Sequence, residues 1–452
     1  MDLQNVLAEL GYVQPTPIQS AALPFMLLGK KDVVGHAKTG SGKTLAYALP
    51  IVMQVQLDAK FPHALVLCPT RELCQQVARV TRSLARKHPG FTVLPLTGGE
   101  PIRGQIDSLQ RGAHVVVGTP GRILDHIKRN TLQLSNIQTL ILDEADRMLD
   151  MGFQKDVESI MAELPQKRQT HFFSATFSDA IHEMSKRHQH DVVSVQDPSE
   201  TDDVNSIDQF FVESNKNNKI ETLLLSLNQH CQHSAMVFCN FKSSVAKVTG
   251  ALKAANVSVG CLHGDLDQFH RDQVLARFRN RSLRILVATD VAGRGIDIAE
   301  IGAVINFELP DKPEIYVHRI GRTGRAGQKG VAISMVETKA NKKLKDIEAF
   351  TGTAIASLEQ AIPLTSTSDM SEDAPMRTIL ISGGRKDKIR PGDVLGALTG
   401  DAGGLKGTDI GKIELHDRLT YVAVRKEVSE KAAKGLNAER IKRKRFKATL
   451  IK

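Results

Sequence analysis

The stretch AKTGSGKT, residues 37–44, decides the fold class of the first part of the chain. A glycine-rich turn of this kind points backbone N–H groups at phosphate oxygens, with a lysine between the outer phosphates and a hydroxyl for Mg²⁺. The flanks fit, because DVVGHAK is apolar like a buried strand and TLAYALPIVMQV is typical of a helix, whose N-terminus adds partial positive charge. One residue departs from the usual pattern, since Ala37 stands where the first glycine would fall.

A second motif, DEAD at residues 143–146, follows the apolar run TLIL at the end of a predicted strand. A phosphate cradle alone indicates only nucleotide binding, whereas carboxylates at a strand end can hold a metal ion and orient a water molecule. The two motifs together predict that the chain binds and hydrolyses ATP with the help of Mg²⁺. The predicted ATP-binding residues of the cradle are Ala37, Lys38, Thr39, Gly40, Ser41, Gly42, Lys43 and Thr44.

The composition indicates a cytoplasmic protein with several domains. The chain has 452 residues, the length of two or three ordinary domains. It has no long uncharged apolar run and no basic stretch followed by an apolar core at its start, so neither a membrane-spanning helix nor a signal peptide is expected. Its five cysteines are scattered without C-x-x-C spacing, which predicts reduced thiols that pack in the interior. We expect no membrane partner.

The positive charge of the chain is concentrated at its C-terminal end. Residues 376–452 contain 19 Lys and Arg but 9 Asp and Glu, whereas the preceding 375 residues hold 41 of each kind. The whole excess of +10 therefore lies in the last sixth of the sequence. Such asymmetry predicts a separate module that faces a polyanion, and the alternative is a basic, solvated tail.

Apolar runs that alternate with helical stretches predict two α/β domains, each with a parallel sheet covered on both faces. The first domain covers residues 1–195 and the second 207–362, with polar predicted linkers at 196–206 and 363–375. Residues 376–452 follow the order strand, helix, strand, strand, helix, strand, which predicts a small α+β domain of the RRM-like type. The predicted strands of the first two domains are 64–69, 114–119, 139–144 and 171–176, then 235–240, 259–264, 284–289, 303–308 and 330–336.

Several short motifs give residues 1–362 a strong resemblance to the DEAD-box RNA helicases of helicase superfamily two. None of these motifs is decisive alone, but their joint occurrence in this order leaves little room for coincidence. Besides the two ATPase motifs they are GYVQPTPIQ (11–19), PTREL (69–73), TGG (97–99), TPGR (119–122), SAT (174–176), HGDLDQFHR (263–271), ATDVAGRGIDI (288–298) and YVHRIGRTGR (316–325).

The resemblance implies two tandem RecA-like domains that flank a cleft where ATP binds. Gln19 would read the adenine edge, because a side-chain amide offers one donor and one acceptor group. Asp143 would hold Mg²⁺ together with Thr44, and Glu144 would orient or deprotonate the attacking water. Lys43 would contact the outer phosphates.

The same resemblance assigns part of the ATP site to the second domain. Arg322 and Arg325 would contact the γ-phosphate, since planar guanidinium groups suit phosphate oxygens, and Asp297 would bond the ribose. Because the site would be complete only when the domains close, RNA that grips both domains would favour closure and deliver the arginines. The residues that would couple hydrolysis to closure are Asp146, Ser174, Thr176 and His318.

The resemblance also implies RNA contacts that grip phosphates without reading bases, so this core should be blind to sequence. It would melt a short duplex by bending one strand. The implied RNA-binding residues are Pro69, Thr70, Arg71, Gly98, Gly99, Thr119, Pro120, Gly121 and Arg122 in the first domain, and Gln268, Arg271 and Thr289 in the second.

The C-terminal module resembles the RNA-binding domain of the DbpA-type helicases, a bacterial DEAD-box subgroup. That resemblance implies recognition of a 23S rRNA hairpin near the peptidyl-transferase centre. An RRM sheet usually stacks bases on aromatic residues, but here only Tyr421 is present, so charge should contribute more. The predicted RNA contacts of the module are Arg385, Lys386, Lys388, Lys406, Lys412, Arg418, Tyr421, Arg440, Lys442, Arg443, Lys444, Arg445 and Lys447.

These observations predict an RNA-stimulated ATPase and helicase that remodels rRNA in large-subunit precursors, with ATP and Mg²⁺ as cofactors and no obligate protein partner. One alternative is a general mRNA-remodelling DEAD-box helicase with a basic tail that binds any RNA. A second is a nucleotide-gated RNA clamp, whose hydrolysis only sets release, and a third is a DNA helicase.

Overall fold

A computed structural model describes the chain as two compact units, the first built from residues up to 196 and the second from residues 207 onward. The described residues are 3–29, 31–37, 40–58, 61–196, 207–231, 234–293, 301–324, 329–338, 341–358, 374–400, 404–438, 440–442 and 444–451.

The first unit contains a seven-stranded parallel sheet with the order β3-β4-β2-β5-β6-β1-β7. Its strands are β1 (Val33–His36), β2 (Ala64–Leu67), β3 (Val93–Leu96), β4 (Val115–Gly118), β5 (Thr139–Asp143), β6 (Gln169–Ser174) and β7 (Val193–Gln196). Its helices are α1 (Leu3–Glu9), α2 (Pro17–Pro24), α3 (Lys43–Gln54), α4 (Arg71–Leu84), α5 (Ile102–Gln110), α6 (Pro120–Lys128), α7 (Ala145–Asp150), α8 (Gln154–Ala162) and α9 (Asp179–His188), with a π-helical turn at Phe25–Gly29.

Helices cover both faces of this sheet, which explains why its central strands are apolar throughout. Every residue of β2, β4 and β5 is buried. One core contains Tyr47 of α3 and Val77 of α4, and the other contains Ile123 of α6 and Ile160 of α8. A parallel sheet buried on both faces is what near-continuous apolar strands predict.

The second unit begins with another seven-stranded parallel sheet, of order β10-β11-β9-β12-β13-β8-β14. Its strands are β8 (Ile207–Glu213), β9 (Ala235–Cys239), β10 (Val259–Leu262), β11 (Ile285–Thr289), β12 (Ala303–Asn306), β13 (Gly330–Val336) and β14 (Ala356–Ser357). Its helices are α10 (Lys219–His230), α11 (Lys242–Ala254), α12 (Gln268–Arg279), α13 (Asp290–Gly293), α14 (Pro313–Ile320) and α15 (Lys342–Thr351). We call this part of the second unit the second lobe.

The rest of the second unit is a four-stranded antiparallel sheet with two helices, which we call the C-terminal module. The sheet order is β16-β17-β15-β18, and the two helices pack with one face of it around Val394, Leu398 and Leu436. Its elements are β15 (Met376–Ile381), α16 (Pro391–Thr399), β16 (Ile410–Leu415), β17 (Thr420–Arg425), α17 (Ser429–Ala438) and β18 (Ala448–Ile451). Their order along the chain and in the sheet is that of an RRM.

The predicted fold class is confirmed: two RecA-like parallel-sheet domains in tandem, followed by a small RRM-like α+β domain. All nine of these predicted strands of the two lobes are present. Seven are one or two residues shorter than predicted, the strand predicted at 171–176 lies two residues earlier, at 169–174, and the strand at 330–336 agrees with the prediction. The sequence interpretation missed β3, β7, β8 and β14. Most of the two predicted linkers, at 197–206 and 363–373, lies outside the described residues.

Two predictions from composition concern the cysteines and the membrane-spanning helices. All five cysteines are free thiols, and all but Cys261 are buried. Burial raises the pKa of Cys231 and of Cys239 to about 12, so both remain protonated and pack as small apolar groups. Among the described helices, none combines the length and the apolar character that crossing a bilayer requires.

Candidate ATPase and RNA-binding site

Strand order separates the motifs of the first unit into two groups at one edge of the sheet. The phosphate cradle follows β1, DEAD follows β5 and SAT ends β6, and these three strands are neighbours. PTREL follows β2, TGG follows β3 and TPGR follows β4, and these three strands are also neighbours. Because all strands are parallel, the loops at their carboxyl ends lie along a single edge. The nucleotide motifs thus occupy one half of that edge and the implied RNA motifs the other.

The phosphate cradle contains two glycines in the left-handed backbone conformation, and the Gln19 side chain bonds to the second of them. Gly40 and Gly42 have φ values of 98° and 95°, a conformation that glycine adopts at low cost. The Gln19 amide nitrogen donates to the Gly42 carbonyl at 3.0 Å, and its oxygen accepts from the Thr16 amide at 3.0 Å. Gln19, the predicted adenine reader, therefore also fixes the cradle. The predicted contacts Lys38 and Thr39 lie outside the described residues.

Lys43 and Asp143 carry buried polar atoms that bond to none of the described residues. Lys43 is 6% exposed and Asp143 is 2% exposed, and the Lys43 Nζ and the Asp143 Oδ1 make no hydrogen bond there. The other Asp143 oxygen accepts a 2.7 Å hydrogen bond from the Tyr47 hydroxyl, a partner that the sequence did not reveal. Burial raises the pKa of Asp143 to about 6, although the nearby Lys43 charge opposes this shift.

Unpartnered buried charges are rare in folded proteins, and each one calls for an explanation. Here the Lys43 ammonium and one Asp143 oxygen have no hydrogen-bond partner among the described residues, and both lie beside a backbone turn that suits phosphate. Together with the half-buried Thr44 in the first turn of α3, these groups fit a nucleotide phosphate and its Mg²⁺.

Glu144 is held in a strained and buried position. Its backbone has a φ of 55°, which is uncommon for a residue with a side chain. Its Oε2 accepts a 2.6 Å hydrogen bond from Arg147 Nη1, and both side chains are almost fully buried. The sequence interpretation missed Arg147, although its place three residues on, in α7, indicates such a pair.

The DEAD and SAT motifs are joined by direct hydrogen bonds. The Ser174 hydroxyl accepts from the Asp146 backbone amide at 3.1 Å. The Asp146 carboxylate accepts from the Thr176 amide and from its hydroxyl, each at 3.0 Å. The structure thus brings together the three predicted coupling residues of the first unit, so that a shift of one motif would pull on the other.

The implied RNA loops of the first unit are also in contact with one another. The Arg71 guanidinium lies against Gly98 and Gly99, where an added side chain would collide with it, and Gly99 has a φ of 83°. Arg122 donates to the Glu100 carbonyl at 3.1 Å, which ties TPGR to the TGG loop. Thr70 accepts from the Leu73 amide and caps α4.

In the second lobe the implied RNA residues lie on α12 and at the end of β11. Gln268 begins α12 and donates to Asp272 at 2.9 Å, and Arg271 donates to the Ala292 carbonyl at 2.8 Å. Thr289 ends β11 and is largely buried. These bonds order the loop ends of the second lobe.

Arg319 of YVHRIGRTGR makes several hydrogen bonds in the second lobe, and the sequence interpretation missed it. Its guanidinium bonds both Asp290 oxygens at 2.6 and 2.7 Å, the Glu308 carbonyl at 2.6 Å and the Asn240 side chain at 2.8 Å. Arg319 therefore fixes the start of α13. Of the predicted ATP contacts from this lobe, Arg322 is buried, whereas Asp297 and Arg325 lie outside the described residues. His318 lies in the last turn of α14.

Basic residues of three loops meet at one end of the C-terminal module, and we call them the basic loops. The Lys386 amide donates to the Asp417 carbonyl at 2.9 Å, and the Lys442 ammonium donates to the Lys388 carbonyl at 2.7 Å. These bonds join residues 385–388, 416–418 and 440–447. The predicted RNA contacts that are exposed are Arg385, Lys386, Lys388, Lys406, Lys412, Arg418, Arg440, Lys442, Lys444, Arg445 and Lys447. Arg443 lies outside the described residues.

Tyr421 requires a correction. Its ring is 1% exposed and packs with Ala276 of α12 and with Ile451, so the second lobe covers the sheet face that usually stacks bases. The prediction that Tyr421 binds RNA is wrong in this arrangement, because no base can reach the ring. The RRM-like pattern indicated that Tyr421 belongs to the base-stacking sheet face but could not show that another part of the chain covers that face.

Polar contacts complete this junction between the second lobe and the C-terminal module. Arg279 bonds both carboxylate oxygens of Glu414, at 2.6 and 3.0 Å. Ser282 and Thr378, both buried, share a 2.7 Å hydrogen bond between their hydroxyls. Burial alone would raise the pKa of Glu414, but a hydrogen bond from His416 and the Arg279 charge lower it to about 2.

Sequence comparison finds three families along the chain. They are DEAD/DEAH box helicase over residues 16–184, the helicase conserved C-terminal domain over 215–327 and the DbpA RNA binding domain over 378–450. The ATP-dependent RNA helicase DbpA of Escherichia coli (strain K12) is 47% identical over 446 residues, which cover 99% of this chain and 96% of the relative. The DEAD-box ATP-dependent RNA helicase CshA of Geobacillus kaustophilus is 41% identical and covers 77% of this chain and 74% of the relative.

A solved structure has a similar fold. Dbp5 of S. cerevisiae, bound to RNA and ADP BeF3, aligns with a TM-score of 0.71 at 31% identity. The match covers 79% of this chain and 93% of that chain.

Proposed function

The chain belongs to the DbpA type of DEAD-box ATP-dependent RNA helicases, and we propose that its substrate is 23S rRNA in large-subunit precursors. The observation that carries this proposal is that similarity to DbpA of E. coli extends over 99% of the chain and so includes the C-terminal module. That module holds the whole excess positive charge, and its basic loops converge at one end. A polyanion such as an rRNA hairpin is the ligand that this end suits.

ATP would be held by the cradle, with the Lys43 ammonium on its outer phosphates and Mg²⁺ held by Thr44 and Asp143. The buried atoms of Lys43 and Asp143 that lack a hydrogen-bond partner in the described part of the chain support these roles, because a bound nucleotide and its metal would satisfy both. Mg²⁺ would neutralise charge on the phosphates during transfer. Tyr47 would orient the Asp143 carboxylate through its 2.7 Å hydrogen bond.

Glu144 would orient the attacking water and accept its proton. The ion pair with Arg147 supports this role, since it fixes the position of the carboxylate at the end of β5. Arg147 would thus be a positioning residue that acts through Glu144.

RNA would be gripped through its phosphates by the loops that carry Arg71, Arg122 and the TGG glycines, and by Gln268 and Arg271 of the second lobe. Their mutual hydrogen bonds and close packing support a rigid phosphate grip. Closure of the two lobes on RNA would bring Arg322 and Arg325 to the γ-phosphate and His318 to the Asp146 network. ATP hydrolysis would then depend on bound RNA.

The test is the steady-state ATPase rate of the full chain with two RNAs of equal length. One RNA carries the 23S hairpin near the peptidyl-transferase centre, and the other is unrelated. We expect strong stimulation by the hairpin RNA and weak stimulation by the other. Equal stimulation by both would favour a general mRNA-remodelling helicase and would overturn the rRNA proposal.

Charge-reversal variants test whether the basic loops provide the specificity for the hairpin RNA. Lys388→Glu and Arg418→Glu together should reduce stimulation by the hairpin RNA to the level of the unrelated RNA, because two phosphate contacts are lost. Lys434→Glu, an exposed lysine of α17, makes the matched charge change away from these loops and should leave stimulation unchanged. A loss that is equal for both RNAs would show that the basic loops bind any polyanion.

A further inference from the structure

The second lobe covers only part of the outward sheet face of the C-terminal module. Leu380 pairs with Tyr421 and Thr378 with Ala423 across β15 and β17, and this half is buried against α12. The same face continues through the pair Met376 and Arg425. The second lobe therefore covers the half of the sheet face around Tyr421 and only borders the half around Met376 and Arg425.

The bordered half forms a cavity of about 580 Å³ between the two parts of the second unit. Residues of the second lobe at the end of α12 line one side, and residues of β15, β16 and β17 line the other. A volume in the range of 300 to 1,000 Å³ is roughly that of a small-molecule site, and one nucleotide fits it. We call this cavity the junction pocket.

The floor of the junction pocket is apolar and kept open by a glycine. Met376 and Ala423 line it, and Gly411 lies directly against both side chains. A Cβ at position 411 would lie 2.9 Å from Met376 Cε and 3.1 Å from Ala423 Cβ, so any larger residue would crowd the floor. Ala423 is buried, so the half-buried Met376 provides the accessible apolar part of the floor, against which the flat face of a base would pack.

The rim of the junction pocket is basic. Arg281 contributes from the second lobe, and Lys412 and Arg425 contribute from the C-terminal module, against one carboxylate, Glu427. Arg279 also lines the pocket, but Glu414 neutralises it. The exposed side chains of Lys412 and Arg425 form no ion pair within the described part of the chain.

Arg281 occupies a position whose backbone conformation favours glycine. It follows the C-cap of α12 and has a φ of 55°, a left-handed conformation in which helices usually place glycine or asparagine. A long basic side chain at such a position indicates a role beyond the turn.

We propose that the junction pocket binds one nucleotide of the RNA, with its base on the apolar floor and its phosphate on Arg281, Lys412 and Arg425. The inference rests on the proposed function for its ligand class, because RNA is the polyanion that this helicase handles. Guanidinium groups suit a phosphodiester through paired hydrogen bonds. Because Arg281 belongs to the second lobe, a nucleotide in the pocket links the lobe to the module and orients the RNA for both.

The test is the affinity of the full chain for a fluorescein-labelled RNA that carries the 23S hairpin and a single-stranded flank, measured by anisotropy from 50 to 300 mM KCl. Arg425→Glu and Lys412→Glu should each weaken binding about tenfold at 100 mM and reduce the salt slope by about one contact, that is about 0.7 to 0.9. Glu427→Gln should tighten binding about twofold, because it removes the one carboxylate among the described residues that line the pocket. The control Lys345→Glu, an exposed lysine of α15, should change affinity less than twofold.

Two outcomes overturn the proposal. In one, Arg425→Glu retains the wild-type affinity and salt slope, and in the other, Lys345→Glu weakens binding as much as Arg425→Glu does. If Arg425→Glu binds RNA normally but loses affinity for a polyglutamate peptide, the pocket takes an acidic protein segment instead. Failure of the proposed function is a separate result, since the wild-type chain would then show no preference for hairpin RNA.

Discussion

Arg279 of the second lobe holds both carboxylate oxygens of Glu414 in the C-terminal module, at 2.6 and 3.0 Å. This pair lies beside the buried ring of Tyr421 and the Ser282–Thr378 hydrogen bond. Within the second unit, the C-terminal module therefore packs against α12 and is not merely connected to the second lobe by a linker. Docking explains how binding of RNA by the module could place the second lobe at a fixed distance from that RNA.

Glu414 should make the stability of the junction depend on pH in acid. Its pKa is lowered from 4.5 to about 2, so its contribution is full above about pH 4.5 and is lost as the pH falls toward 2. At pH 7, Glu414→Gln should lower the free energy of unfolding by about 2–3 kcal/mol, and the difference from wild type should shrink below pH 4.5. Urea unfolding from pH 3 to 7 measures this, with the exposed Glu430→Gln as the control. A difference independent of pH would contradict the ion pair.

Tyr421→Phe should leave RNA affinity within twofold of wild type, because the ring is buried against α12. The Tyr421 hydroxyl is buried and has no hydrogen-bond partner among the described residues. Its removal should therefore keep the free energy of unfolding constant or raise it by up to about 1 kcal/mol. Anisotropy and urea unfolding test the two statements, and a large loss of RNA affinity would restore Tyr421 as an RNA contact.

Glu144→Gln should bind ATP within about threefold of wild type and reduce the RNA-stimulated turnover at least about 100-fold. Lys43 and Asp143 remain in place, but an amide cannot accept the proton of the attacking water. A fluorescent ATP analogue measures binding and phosphate release measures turnover. The control is Glu163→Gln, which removes an exposed carboxylate at the end of α8. Normal turnover in Glu144→Gln would mean that another residue orients the water.

Thr176→Val should separate ATP hydrolysis from unwinding. Valine keeps the shape of the side chain but loses the hydroxyl that donates to Asp146 at 3.0 Å. We expect RNA-stimulated ATP turnover within about threefold of wild type and at least about a tenfold loss of duplex unwound per ATP hydrolysed. Ser159→Ala, which loses an exposed hydroxyl bond on α8, serves as the control. Equal losses of both activities would contradict a coupling role for this hydrogen bond.

Residues with local signals were predictable from the sequence, and residues whose roles depend on distant partners were not. Apolar strands such as β2 and β5 stand out because both faces are buried. Strand β3 escaped prediction because it lies at the sheet edge and contains Pro95, which a central strand would not tolerate.

The candidate site shows the same division. The phosphate cradle and DEAD can be recognised from the spacing of residues within a short stretch of sequence. The hydrogen bond between Tyr47 and Asp143, in contrast, joins residues 96 positions apart. The bonds of Arg319 and the burial of Tyr421 likewise depend on tertiary packing. Burial of Tyr421 could not be inferred, because an aromatic residue on an outward strand face looks the same whether it meets RNA or another domain.

The most direct test is single-turnover separation of a short RNA duplex joined to the 23S hairpin, compared with the same duplex without the hairpin. We predict ATP-dependent separation that is at least about tenfold faster with the hairpin, and little separation when the duplex is made of DNA. A chain that holds the hairpin-linked duplex without melting it would be an RNA clamp, and equal rates for the two RNA substrates would contradict hairpin-directed unwinding.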